Sequence, residues 1–328
     1  MTGNGQIMRG LSRPPDGYQD AMTQVAMVVH EDKIAALRGA DPRELLRSTL
    51  LARGEPPPRM YPTSSGDGGQ EAARTALAEG AQLVVVCGGD GTVNACAAAL
   101  AGTGVPMAVV PLGTGNLVAG NLDLPTDPAE AVAVALDGVD RPMDLGRLPG
   151  GVLVGMAGLG LDAAMVQDVS HVWKRRIGWP AYAVSLARHL TDRGFTAVVD
   201  VDGSRTRHRH VRTVVVGNIG GLHGGLSLFP DAQPDDGLLD VAVLAPRTAL
   251  GWMSVTAHLL RGRKANRPPA VVRRRGRHIV VAARHPLRRE ADGEALPDAR
   301  GLNVVVEPGA LLLRTRAADR SARPESGR

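Results

Sequence analysis

The sequence predicts an α/β N-terminal domain with a parallel, doubly wound sheet, followed by a mainly antiparallel β domain. Three observations support this fold class. Short apolar runs alternate with helical patterns over residues 24–145, two of these runs end in glycine-rich turns, and strand-like runs follow one another after residue 195. The chain has 328 residues, and since one domain usually has roughly 100 to 200 residues, we expect two domains.

The first half contains four short apolar runs typical of buried parallel strands. Helices are expected between them because alanine and leucine recur there at helical spacing. The predicted strands are residues 24–30, 59–63, 83–87 and 107–110, and the predicted helices are 41–53, 71–79 and a third from Thr92.

The second half has strand-like runs separated by turn residues, which indicates an antiparallel arrangement. The predicted strands are residues 195–202, 208–217, 226–230 and 237–244, after an amphipathic helix at 173–190. The predicted boundaries are a flexible lead at 1–23, a first domain at 24–145, a second domain at 146–313 and a disordered basic tail at 314–328.

The strand at residues 83–87 runs directly into the turn Gly-Gly-Asp-Gly-Thr at 88–92. Three glycines allow a close approach of the backbone to a ligand, and the following helix start offers free N–H groups, an arrangement suited to phosphate. Asp90 would repel bare phosphate, so it indicates a bridging Mg²⁺ carried by a nucleotide. The turn alone is equally compatible with a tight connection that binds nothing.

A second glycine turn, Pro-Leu-Gly-Thr-Gly-Asn at residues 111–116, follows the next strand. In a doubly wound sheet both turns emerge at the carboxyl ends of the strands, where ligands bind. The two turns are therefore expected to face one pocket.

The two turns together resemble the nucleotide site of the diacylglycerol kinase catalytic family of lipid kinases, which shares its fold with NAD kinases. Gly-Gly-Asp-Gly-Thr alone is also found in NAD kinases, so the assignment depends on later residues. Asp144 in Arg-Pro-Met-Asp-Leu, the loop at residues 233–240, and Asp-Gly-Glu at 292–294 all resemble further elements of the lipid kinases. NAD kinases lack the last two.

The resemblance implies ATP and Mg²⁺ as cofactors and diacylglycerol or a related lipid alcohol as substrate. Glu294 would be the general base and Asp90 would face the Mg²⁺ of the nucleotide, while Asp144 is either a supporting acid or a strand-end residue. A structural Mg²⁺ would be held by the Asp236 side chain and by the carbonyls of Gln233 and Leu238. The nucleotide-binding residues would be Thr63, Gly88, Gly89, Asp90, Gly91, Thr92, Val93, Asn94, Gly113, Thr114, Gly115 and Asn116. The alternatives are an NAD kinase and a non-catalytic nucleotide- or lipid-binding relative.

Two positions depart from the family pattern. His-Glu-Asp-Lys at residues 30–33 stands where the family usually has an Asn-Pro-Gly phosphate loop, and Leu117 stands where many members have an acid. A third feature is a decoy: residues 158–163 fit the G-x-G-x-x-A dinucleotide pattern, but they come too late for a first βαβ unit and indicate close packing.

Composition restricts the partners. The net charge of +5 favours anionic partners, but aromatic residues make up only 2%, so stacking on nucleic acid is not expected. The basic stretch at 261–289 is either a solvated face or a contact with an anionic membrane surface.

Cys87 and Cys96 show no metal or disulfide spacing and are expected to be buried thiols. We expect a cytoplasmic protein, peripheral at the inner membrane face, and leave a homodimer open.

Overall fold

The computed structural model describes residues 24–64, 68–160, 194–222, 226–261 and 270–317. The predicted lead, the helix at 173–190 and the chain beyond residue 317 lie outside these ranges. The helices are α1 Glu31–Ala35, α2 Pro42–Ala52, α3 Gln70–Ala78, α4 Asp90–Leu100, α5 Leu117–Asn121, α6 Pro128–Asp137 and α7 Ala249–Arg261.

Strands account for most of the second half of the described chain. They are β1 Val25–His30, β2 Arg59–Thr63, β3 Leu83–Gly88, β4 Met107–Pro111, β5 Val139–Leu148, β6 Gly151–Leu153, β7 Met156–Gly160, β8 Phe195–Val201, β9 Ser204–Val211, β10 Thr213–Gly217, β11 Leu239–Leu244, β12 Val271–Gly276, β13 His278–Ala291 and β14 Glu294–Thr315.

The first half forms the predicted parallel sheet. Its strands lie in the order β2-β1-β3-β4, and every residue of β1, β3 and β4 is buried. The connecting helices start at clear signals: Asp41 caps α2 by accepting the N–H of Arg43, and Asp127 caps α6 in the same way. The alternation of strands and helices in the sequence therefore predicted this half correctly.

The second half is antiparallel, as predicted. β10 pairs with β7 and β11, β12 pairs with β11, and β13 pairs with β7, β8 and β14. A cluster of buried aliphatic residues, including Leu159, Val199 and Val216, fills one face of these strands. Gly160 packs closely against Phe195. A Cβ added to Gly160 would lie only 2.8 Å from the Phe195 ring. Gly160 of this G-x-G-x-x-A motif thus serves close packing.

β14 connects the two halves. It begins in the second half, pairs antiparallel with β5 from Val305 to Thr315, and runs parallel to β4 with Leu313 opposite Met107. The strand continues two residues past the predicted boundary at 313. Arg314 is part of it and donates to Asp140 over 2.7 Å, so residues 314 and 315 belong to the strand and not to the predicted tail.

Several predicted elements were wrong in detail. Residues 208–217 were expected to form one strand, but the chain breaks at Arg212, after His210 adopts a positive φ of 58°, and the run divides into β9 and β10. Residues 226–230 contain only an isolated bridge between Gly221 and Ser227. α4 starts at Asp90 rather than Thr92, and α7 was not predicted.

Both cysteines are buried, as expected. Burial raises the pKa of Cys87 to about 12, so its thiol stays protonated and unreactive at neutral pH. Within the described residues, no helix is long and apolar enough to cross a membrane.

Candidate active site

The carboxyl ends of β3 and β4 bring the two glycine turns into contact. Gly88 pairs with Pro111, and the N–H of Leu112 donates to the carbonyl of Gly88 over 2.7 Å. Beyond this pair, a Cβ added to Gly113 would lie only 2.9 Å from the Cα of Gly89. The backbones of the two turns therefore lie side by side at one cavity, as expected. Glycine is required at position 113, because a side chain there would clash with Gly89.

Two polar side chains lock the turns together. Asp90 is the first residue of α4, and its Oδ1 accepts the N–H of Leu117, the first residue of α5, over 2.6 Å. Asn116 has a φ of 47°, and its Oδ1 accepts the N–H of Gly113 over 2.8 Å. Asp90 thus connects α4 to α5 by a hydrogen bond, a structural role that the sequence did not suggest. Asn116 stabilises the second turn by a hydrogen bond within it.

A hairpin from the second half closes over these turns. Asp292 and Gly293 connect β13 to β14 with φ values of 51° and 84°, the positive values that a tight two-residue hairpin turn requires. The Asp292 carboxylate accepts three backbone N–H groups, from Val154 over 2.8 Å, Gly155 over 2.7 Å and Met156 over 3.0 Å. The hairpin tip is therefore fixed to the chain between β6 and β7.

Three effects set the pKa of the Asp292 carboxyl group. The pKa of Asp292 is raised to about 6, mainly by burial; the three N–H groups oppose this rise, and the nearby Asp90 carboxylate adds to it. Two acids from different halves of the chain thus lie close enough to repel each other. A cation between them would relieve this repulsion.

Glu294 is the first residue of β14 and follows the hairpin turn. Its Oε1 lies 3.5 Å from the position a Cβ on Gly91 would take, so the carboxylate reaches the first turn of α4. Asn94 links the same two elements by donating to the carbonyl of Asp292 over 3.4 Å. Asn94 Oδ1 is buried and has no hydrogen-bond partner within the described residues.

These elements enclose a cavity of about 450 Å³, within the range of small-molecule sites. Of the predicted residues, Gly89, Asp90, Gly91, Thr92, Asn94, Gly113, Thr114 and Glu294 line it. Gly88, Gly115 and Asn116 shape the turns from outside the lining. Thr63 and Val93 are 4% and 3% exposed and lie behind the wall.

Three titratable residues of the lining were not among the predicted site residues. Lys33 and His30 reach the cavity from the segment that lacks the Asn-Pro-Gly loop, and Lys33 Cε lies 3.9 Å from the position a Cβ on Gly89 would take. Asp292 was noted only as part of Asp-Gly-Glu. The signal for Lys33 was a cation just after a strand that ends beside the glycine turns.

The predicted structural Mg²⁺ loop lies elsewhere, beyond Asp144. The Asp144 carboxylate is 2% exposed and accepts the N–H groups of Gly237 over 2.6 Å and Gly309 over 2.7 Å. Asp144 therefore ties the loop to β14, a supporting role. Asp236 Oδ1 accepts the N–H of Leu238, and Asp236 Oδ2 accepts from Arg275.

The two predicted Mg²⁺ positions, Asp236 and Asp90, differ in how many of their carboxylate oxygens already accept a hydrogen bond. No cluster of three His, Cys, Asp or Glu side chains is present among the residues that the structure describes. At Asp236 both carboxylate oxygens already have donors, which does not fit a site that relies on this one side chain. At Asp90 one oxygen has a donor, so a Mg²⁺ brought by a nucleotide still fits, because phosphates and water supply most of its ligands.

Comparison with known proteins agrees with this geometry. Residues 41–148 match the family model of the diacylglycerol kinase catalytic domain, and residues 155–315 match the YegS C-terminal NAD kinase beta sandwich-like domain. A Pseudomonas aeruginosa (strain PAO1) protein named "Probable lipid kinase YegS-like" is 34% identical over 247 residues, which are 72% of this chain and 77% of that protein.

Two further relatives extend the comparison. A "Diacylglycerol kinase" of Mycobacterium tuberculosis (strain H37Rv) is 33% identical over 179 residues, 51% of this chain and 56% of that protein. A crystal structure of a diacylglycerol kinase from Bacillus anthracis strain Sterne has a TM-score of 0.67 at 19% identity, covers 91% of this chain and 98% of that one, and shows the shared fold.

The chain belongs to the diacylglycerol kinase catalytic-domain family of lipid kinases. Membership of a kinase family implies the use of ATP, as predicted, and the NAD kinase alternative is not favoured.

Proposed function

We propose that the protein transfers the γ-phosphoryl group of ATP to a hydroxyl of diacylglycerol or a related lipid alcohol. The observation that carries this proposal is the approach of Glu294, from the second half of the chain, to Gly91 at the start of α4. A carboxylate there faces the same cavity as two glycine turns. Phosphoryl transfer needs such an arrangement of phosphate cradle and acceptor-orienting group.

The nucleotide phosphates would lie against the glycine turns. The N-terminus of α4 offers backbone N–H groups and the positive end of the helix dipole. Lys33 adds a full positive charge at the turn, which compensates for the absent Asn-Pro-Gly loop. Asn94 Oδ1, buried without a partner in the described chain, would accept a hydrogen bond from the bound substrates.

Asp90 would hold the Mg²⁺ of the nucleotide through Oδ2, while Oδ1 keeps its bond to Leu117. This ion neutralises charge on the phosphates during transfer. Asp292 would stay in place as the hairpin anchor. Asp90 and Asp292 both line the cavity, and a cation bound there would reduce the repulsion between their carboxylates.

Glu294 would remove the proton of the lipid hydroxyl, since a general base must lie within hydrogen-bond reach of the acceptor oxygen. Its position at the start of a strand, directly after a pinned turn, fixes where the carboxylate can point. The lipid would therefore enter from the side of the β-rich domain.

Membrane contact would be made by α7, where Leu250 is 75% and Met253 66% exposed. They are three residues apart and share one helix face. The net charge of +5 adds attraction to an anionic surface. The homodimer that the sequence left open is not part of this proposal.

The test is a phosphorylation assay with labelled ATP and vesicles containing diacylglycerol or sphingosine, with NAD as a separate acceptor. We expect a lipid product, a loss of about 10²–10⁴ in kcat for Glu294→Gln with ATP affinity retained, and weaker ATP binding for Asp90→Asn. The matched control is Glu307→Gln, which changes an acid of the same strand that pairs with Arg147 over 2.7 Å, away from the cavity.

Two results would contradict the proposal. One is full lipid phosphorylation by both Glu294→Gln and Asp90→Asn. The other is phosphorylation of NAD with no labelled lipid.

A further inference from the structure

The loop at residues 233–238 is contacted by the side chain of Arg275, which lies in β12. Asp236 Oδ1 accepts the N–H of Leu238 over 3.0 Å, which closes a local turn. Asp236 Oδ2 accepts a hydrogen bond from Arg275 Nη2 over 2.5 Å. Both oxygens of the carboxylate expected to bind a structural metal are therefore engaged by nitrogen donors.

Arg275 also contacts a second acid of the same loop region. Its Nε lies 3.3 Å from Asp240 Oδ1, and its Nη2 donates to the carbonyl of Asp231 over 3.3 Å. The guanidinium thus bridges two carboxylates and one carbonyl. These are the ligand types that a hard divalent cation would use.

Strand pairing places this arginine. Asp240 in β11 is the direct cross-strand partner of Arg275 in β12, within a ladder that runs from Leu239 opposite Gly276 to Leu244 opposite Val271. Opposite charges at paired positions stabilise a sheet. The position of Arg275 is therefore set by the β11–β12 ladder as well as by the loop.

The exposure of the three groups indicates that the acids need a cation here. The side chains of Asp240 and Asp236 are 8% and 19% exposed, and that of Arg275 is 36% exposed. Two largely buried carboxylates side by side repel each other and lose hydration, so an uncompensated pair is costly. A planar guanidinium with several N–H donors can satisfy both at once.

The loop is also tied to the rest of the protein without a metal. Asp144 binds its Gly237 N–H, and the N–H of Asp144 donates to the carbonyl of Pro234 over 2.6 Å. Asn218 donates to the carbonyl of Asp144 over 2.6 Å. The loop is thus held at both ends by hydrogen bonds.

We infer that Arg275 is the permanent cation of this loop and takes the place of the structural Mg²⁺ that the family resemblance implied. The loop then folds without a divalent ion. The Mg²⁺ of the nucleotide belongs to the other site, so this inference does not rest on the proposed reaction.

The test measures thermal unfolding of the full chain without nucleotide, in EDTA and in excess MgCl₂. For the natural sequence we expect the same Tm in both. Arg275→Met should lower Tm by about 2–4 °C or more in EDTA, and Mg²⁺ should restore part of the loss. Arg274→Met is the matched control, because Arg274 is next on the strand and donates to the carbonyl of Ser204 rather than to an acid.

A calorimetric titration of the natural protein with MgCl₂ alone needs no variant to fold. Stoichiometric Mg²⁺ binding that Asp236→Asn abolishes would overturn the inference, as would a Tm of the natural protein that falls in EDTA. An Arg275→Met variant no more sensitive to EDTA than Arg274→Met would also overturn it. Rescue by Mg²⁺ that disappears when Asp236→Asn is added to Arg275→Met would support it.

Discussion

Gly113 is a residue at which the backbones of the two glycine turns pack closely. A Cβ at this position would lie 2.7 Å from Asn116 Oδ1 and 2.9 Å from the Cα of Gly89. Real Cβ atoms do not approach backbone that closely, so the turns would have to separate. The observed contact between the two turns depends on the absence of a Cβ at Gly113.

We expect Gly113→Ala to lower the free energy of unfolding by about 1–3 kcal/mol, the usual cost of overpacking, and to weaken ATP binding. Chemical unfolding and a nucleotide-binding titration measure the two effects. Gly120→Ala is the control, because Gly120 lies in α5 with nothing within 4 Å of an added Cβ. If both variants bind ATP like the natural protein, the turns do not need their close contact.

At this scale the sequence predicted that the two glycine turns meet at one cavity, but not all of the charges that line it. Gly89, Asp90 and Gly113 were predicted from the turn pattern, since glycines clustered after a strand let the backbone approach a ligand or another chain segment. Lys33 was missed, because its segment was interpreted only as the place where the Asn-Pro-Gly loop is absent. The structural bond from Asp90 to the N–H of Leu117 depends on tertiary contact and has no sequence signal.

Two Asp-Gly hairpins show how one element type serves two purposes. Asp202-Gly203 and Asp292-Gly293 both turn with positive φ at each residue, and both aspartates accept backbone N–H groups of a neighbouring strand or loop. Only the second turn is followed by an acid in the cavity. The Asp-Gly sequence predicts the turn. The position of the turn among the neighbouring strands determines whether the next residue reaches the cavity.

Asp292→Asn should reduce kcat by about 100-fold, because an amide cannot accept all three N–H groups and Glu294 shifts with the turn. The lost hydrogen bonds should cost about 1–3 kcal/mol of unfolding free energy. Steady-state kinetics would show the change in kcat with KM for ATP nearly constant. Asp202→Asn, which alters the equivalent residue of the remote hairpin, should leave kcat unchanged; equal losses in both variants would mean that Asp292 acts only on stability.

At the scale of the whole molecule, the two halves share a strand. β14 begins at Glu294 in the cavity and ends at Thr315, beside β4 and β5 of the first half. Leu311 and Leu313 are 0% and 1% exposed, in a core cluster that also contains Val84 of β3. The periodicity of the sequence predicted both halves, but it could not show this return, because strand pairing between distant segments leaves no local pattern.

Leu313→Ala should lower the free energy of unfolding by about 2–5 kcal/mol, the range for buried leucine truncation, and should do so in a single transition. Differential scanning calorimetry with domain-specific fluorescence would follow both halves together. Leu250→Ala, at a 75% exposed position, should change stability by less than about 0.5 kcal/mol. Two separate transitions in the Leu313→Ala variant would show that the halves unfold independently.

The shared strand also has a consequence for synthesis on the ribosome. Met107 and its partner Leu313 are separated by about 200 residues, which takes about 10–40 s to translate at roughly 5–20 residues per second. During that time β4 lacks its outer neighbour, and its apolar edge is open to pairing with other chains. Slow translation of residues 112–310 would lengthen the time for which this edge is open and would raise the risk of aggregation.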